Sequence, residues 1–144
     1  MFSVFFSKLF GSKKPGQHFG THLMIDGYGG DPIKLNDYNI VFTSLDKLPE
    51  LVGMKKMGET IVLQAPPVSE KDGGGYSGFV MINTSHISCH TFPKRRFVSI
   101  DVYTCHESLD CEYVKKYFKD AFDLQDLEIN YVKRGTRYPV ADLL

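Results

Sequence analysis

Two rhythms of hydrophobic and polar positions run through the chain. Near its start Phe2, Phe5, Phe6, Leu9 and Phe10 recur at helical spacing, one apolar stripe ended by Gly11 and Pro15. HLMID (22–26) then alternates like a strand, and GYGGDP marks a turn. Leu45, Leu48, Leu51 and Val52 share one helical face, and Asp46 is the expected cap of a helix starting near Pro49. TIVLQA (60–65) reads as a strand and PPVSEKDGGGYS (66–77) as a loop. GFVMINTS (78–85) is a strand, with HISCHTF continuing extended to Pro93; KRR turns the chain, and FVSIDVYTC (97–105) is the next strand. Residues 110–122 put Val114, Tyr117, Phe118, Ala121 and Phe122 on one helical face behind Asp110 as cap, and LEINYVKR (127–134) closes as a strand. Hairpin-like strands with two main helices predict an α+β fold: a two-layer sandwich, an antiparallel sheet with helices on one face.

The first stripe divides the chain into a helical extension, 1–17, and a domain, 18–144. Two destinations fit the extension. Its aromatics can pack on the domain or a sister subunit, or residues 2–14, with Lys8, Lys13 and Lys14, can lie on a membrane surface. We expect docking. Seventeen basic and seventeen acidic residues cancel, so net charge gives no reason to expect a nucleic-acid partner. Cys89, Cys105 and Cys111 make an odd count without framework spacing, which favours free thiols and a cytoplasmic location.

Candidate chemistry concentrates in SHISCH (85–90). Ser85, His86, Ser88, Cys89 and His90 sit within one extended run, too polar for a strand buried on both faces. Zinc-site spacings are missing, and Ser85 lacks the glycine-flanked elbow of a serine hydrolase. A solvated edge strand explains the same residues without chemistry. Cys89 and Cys111 read as small apolar residues, His86 as a structural hydrogen-bonder, and Lys94–Arg96 as a solvated turn. The glycines at 73–75 read as a loop, since no strand and helix flank them as in a phosphate cradle.

Taken together, Ser85-His86, His90, Phe92-Pro93 and the strand Ile100-Asp101-Val102-Tyr103-Thr104-Cys105 resemble the prokaryotic S-adenosylmethionine decarboxylases. Ser77-Gly78, Gly20-Thr21-His22-Leu23 and LEINYVKRGTRYP extend the resemblance over residues 18 to 139. It implies a self-cleaving, pyruvoyl-dependent enzyme that serves spermidine synthesis and works as a homodimer with sites at the interface. By this resemblance Ser85 Oγ attacks the carbonyl of Thr84, an ester forms, and elimination leaves a pyruvoyl group at position 85. His90 matches the family's processing base, and Ser77 the serine that assists it. Cys105 matches the cysteine that returns a proton to the substrate, while the ketone takes the substrate amine as a Schiff base and acts as electron sink. Strict alternation puts Ser85 and His90 on opposite faces of one strand, so if they cooperate the chain must bend or bulge between them.

Departures from the family pattern mark the rest. Thr84 stands where glutamate is usual, and Lys94 where a glutamate holds the ribose hydroxyls; Lys71 falls near the position of an adenine-stacking aromatic. Asp26 occupies a place where the family keeps an acid, so Asp26 and Lys94 are the expected substrate contacts. Two further readings follow from these departures: decarboxylation of another amine such as arginine or ornithine, and a non-catalytic paralogue that regulates a sister enzyme.

Overall fold

A computed structural model describes residues 18–106, 108–139 and 141–144. The extension 1–17, with its expected docking or membrane contact, lies outside the described residues. The elements are β1 (Gly20–Tyr28), α1 (Pro32–Leu35), α2 (Tyr38–Leu51), β2 (Ile61–Ala65), β3 (Gly75–Ile82), β4 (Ser85–Phe92), β5 (Phe97–Thr104), α3 (Cys111–Phe122) and β6 (Asp126–Arg134). They build a six-stranded sheet in the order β2-β3-β4-β5-β1-β6, with every neighbouring pair antiparallel. The chain enters beside the far edge, crosses to β2 through α1 and α2, and meanders back by hairpins. The α+β expectation therefore holds, with the helices packed on one face.

Alternation decides what each face carries. Leu23 and Ile25 of β1, Val80 and Ile82 of β3, Ile87 and Cys89 of β4, and Val98, Ile100 and Val102 of β5 are buried beneath the helices. Val41, Leu45 and Leu48 of α2, and Val114, Phe118 and Phe122 of α3, complete the core. Each buried aromatic contributes about 1.5–3 kcal/mol. Gly78 lets α2 come close: a Cβ there would stand 2.3 Å from Leu45 Cδ1. Tyr117 Oη donates to the Ser44 carbonyl at 3.0 Å and ties α3 to α2.

Several boundaries differ from the sequence reading. Helix α2 begins at Tyr38, because the Asp37 carboxylate accepts from the Asn39 and Ile40 amides at 2.8 and 3.1 Å. Pro49 lies inside its C-terminal part, and Asp46 is mid-helix, paired with Lys56 and accepting from Thr60 Oγ1. Strand β3 starts at Gly75, which moves Ser77 from the expected loop into the sheet. The run 78–93 is two strands, not one: Ile82 pairs with Ser85, and the chain reverses through Asn83 and Thr84. Asparagine is a turn former, and its signal was outweighed by the apolar residues before it.

Candidate active site

The reversal at Asn83 and Thr84 brings the cleavage-candidate serine to the head of β4. Thr84 has φ +59°, the left-handed region, and its side chain is exposed. Ser85 follows immediately and is 8 % exposed. Its Oγ accepts a hydrogen bond from the Cys105 backbone N–H at 3.0 Å, so the end of β5 fixes the hydroxyl. The Cys105 thiol lies 3.0 Å from Thr84 Oγ1 and 3.9 Å from the Asn83 carbonyl oxygen. Ser85, Thr84 and the Cys105 thiol thus form one cluster at one end of the sheet.

Ser77 and His90 form another. They face each other across β3 and β4, and Ser77 Oγ lies 2.9 Å from His90 Nδ1. The same row continues through Ser99 to Asp26, which sits between Ser99 and Glu128 on the sheet face opposite the helices. Next to this row, Tyr28, Phe92 and Phe97 put aromatic surface into a cleft of about 900 Å³ that Lys71 and Arg95 also line. Ring centroids in that group are 5.3 Å apart for Tyr28 and Phe97, and 5.5 Å for Phe92 and Phe97.

The two clusters do not meet within one chain. Strand β4 runs from Ser85 to His90 in unbroken register with β3 and, from His86 onward, with β5. Five residues of extended chain span about 16 Å. The bend or bulge expected between Ser85 and His90 is not there, because both neighbouring strands pair with this one residue for residue. Ser85 and His90 fall on opposite faces, as alternation demands, with Ser85 on the side of Ile87 and Cys89. Nor is β4 an edge strand; it has a partner on each side.

Lys94 stands apart from both clusters. Its aliphatic stem packs over Gly73, in a cleft of about 450 Å³ lined by Asn36, Gln64 and Gly74 that includes neither Ser77 nor His90. His86 forms part of a ring network on the open face, with centroids 5.6 Å from Phe79, 5.5 Å from Tyr103 and 6.4 Å from His22. Burial pushes its imidazole below the ordinary range, and the neighbouring His22 adds to that shift. His22 Nε2 is paired with Asp101 Oδ1 at 2.7 Å, and the Arg134 guanidinium carbon sits 4.6 Å from the Tyr103 ring centre. In the sequence, His22, Asp101 and Tyr103 stand out only as motif members; alternation, which aims all three at one face, is the signal that groups them. Burial pushes the Cys89 thiol up to about 12, which fits a core residue. Among the described residues no group of three or more His, Cys, Asp or Glu side chains is arranged to hold a metal ion. No helix among them is long and apolar enough to cross a membrane.

Comparison with known proteins points to one family. The S-adenosylmethionine decarboxylase proenzyme of Pyrococcus horikoshii is 30% identical over 116 residues, 81% of this chain and 78% of that protein. The proenzyme of Clostridium botulinum (strain Langeland) is 28% identical over 119 residues, 83% of this chain and 97% of that one. In fold, the chain resembles the crystal structure of the adenosylmethionine decarboxylase from Aquifex aeolicus. The TM-score is 0.70 at 24% identity, covering 83% of this chain and 92% of the other. A model of the S-adenosylmethionine decarboxylase family matches residues 21–135, most of the chain and both clusters, and the chain belongs to that family.

Proposed function

We propose that the chain is a proenzyme that cuts itself between Thr84 and Ser85 and then decarboxylates S-adenosylmethionine as a homodimer. The observation that carries this reading is the head of β4. A serine hydroxyl is held by the Cys105 N–H beside a tight, exposed turn, with a thiol against the preceding residue. Cutting there separates β3 from β4 only at their shared turn, and both strands keep their ladders. Ser85 Oγ bonds to the Thr84 carbonyl carbon, the peptide C–N bond breaks, and the hydroxyl proton ends on the freed amine. Elimination then releases Thr84 as a carboxylate; one water is consumed, ammonia leaves, and a ketone remains at position 85.

That pyruvoyl group supplies an electron sink for loss of carbon dioxide from an amino acid. Its fit rests on chain chemistry: Ser85 provides its carbons, and no further ligand is needed. Cys105, close to position 85, is the proton donor to substrate carbon. Ser77 and His90 form the pair that handles protons during cleavage.

Because about 16 Å of strand separates the pairs, a complete site takes Ser85 and Cys105 from one copy and Ser77 and His90 from a second. The open sheet face supports such pairing, with Phe79 39 %, Met81 49 %, Ile61 54 % and Leu63 66 % exposed on it. Apolar surface of this extent favours burial against another face. Tyr28, Phe92 and Phe97, beside the His90 row, offer ring surface to a purine, and Asp26 offers an acceptor to its ribose or amine. The expected contact from Lys94 is directed instead at its own cleft.

Carbon dioxide release from carboxyl-labelled S-adenosylmethionine, arginine and ornithine tests the substrate. Turnover of S-adenosylmethionine well above the amino acids is expected, and none with Ser85→Ala. Preference for arginine or ornithine would overturn the assignment and match the missing ribose acceptor at Lys94. A chain without turnover that activates a co-purifying sister enzyme would support the regulatory reading.

A further inference from the structure

We infer that the backbone strain of Thr84 helps drive self-cleavage, so that Thr84 is a positioning residue for the acyl shift. The inference deepens the self-processing reading and rests on it. A β-branched residue at φ +59° is a true outlier, because its Cβ substituents crowd the backbone. Asn83 and Thr84 alone connect the paired residues Ile82 and Ser85, so the ladder on both sides forces this conformation. Its cost falls on the residue whose carbonyl is attacked.

The shift relaxes that constraint in a specific way. Before it, Thr84 C and Ser85 Cα are joined through one atom, the amide nitrogen. Afterwards they are joined through two, Ser85 Oγ and Cβ, while the proton from the hydroxyl goes to the liberated amine. The loop thus lengthens by one atom at fixed strand positions, and a more easily rotated ester replaces the amide. Meanwhile the Cys105 N–H keeps Ser85 Oγ in place. Strain present in the peptide and absent from the ester raises the ground state of the shift and speeds it. The Thr84 hydroxyl, 3.0 Å from the Cys105 thiol, is a separate feature that the variants distinguish.

Four full-length chains are compared for the rate of cleavage after synthesis: wild type, Thr84→Val, Thr84→Asn and Thr84→Gly. Valine keeps the branched Cβ and loses the hydroxyl, so it should cleave within about twofold of wild type. Asparagine and glycine tolerate the left-handed region and should slow cleavage about three- to tenfold, glycine the more. In the uncleavable Ser85→Ala background, asparagine and glycine should raise the melting temperature and valine should not. Glycine and asparagine chains that are folded and cleave as fast as wild type would overturn the inference. So would a valine chain slowed as much as the glycine chain, which would assign the effect to the hydroxyl. A wild-type chain that never cleaves overturns the self-processing reading itself, and this inference with it.

Discussion

Cys105 meets Ser85 through its backbone and Thr84 through its side chain, and the two contacts predict separate consequences. Cys105→Ala removes the thiol and keeps the N–H that fixes Ser85 Oγ. Cleavage should therefore proceed near the wild-type rate, while decarboxylation falls about 10²-fold or more, the usual loss of a proton donor. Following both rates in one preparation checks this; equal loss of both would mean that the thiol serves the cut as well. The set Ser77, Ser85, His90 and Cys105 was suggested in the sequence by its resemblance to the family pattern. Their pairing was not, because it depends on which strands lie side by side. Thr84 stood out only as a departure from the family pattern, since no residue type announces φ +59°.

At the level of elements, the regularity of β4 has the largest functional consequence. An unbroken ladder keeps Ser85 and His90 on opposite faces and about five residues apart. If one copy supplies Ser85 and the other His90, two inactive chains should rescue each other. A His90→Ala chain should stay whole alone and be cut when co-expressed with a Ser85→Ala chain, whose intact His90 completes its site. Failure of rescue, in mixed dimers verified by differently tagged chains, would return both functions to one chain. Strand identities were legible where alternation is strong, as in β1 and β5, and α3 was legible from its stripe and the Asp110 cap. The start of α2 was obscured because Pro49 resembles a first-turn proline, whereas Asp37 provides the cap. The turn at Asn83 and Thr84 was obscured because the apolar run 79–82 leads straight into it and the residues after it also read as extended.

Across the whole molecule, one face of the sheet is covered by helices, supplies the core and has Ser85 on its side, and the other carries Ser77 and His90. Its ring and charge network, His86 with His22, Asp101, Tyr103 and Arg134, lies between the two clusters and the β6 edge. The two-layer architecture was legible from hairpin spacing and two helical stripes. The strand order, with β1 set between β5 and β6, was not, since it rests on contacts between residues far apart in sequence. The proposed activity depends on one covalent event at the turn between β3 and β4. Intact and fragment mass spectrometry of the purified, full-length protein reads that event directly. Two fragments are expected, one ending at Thr84 and the other beginning at position 85 with a ketone in place of the serine amine. A folded chain that remains whole after prolonged incubation, with Ser85 unchanged, would contradict this expectation.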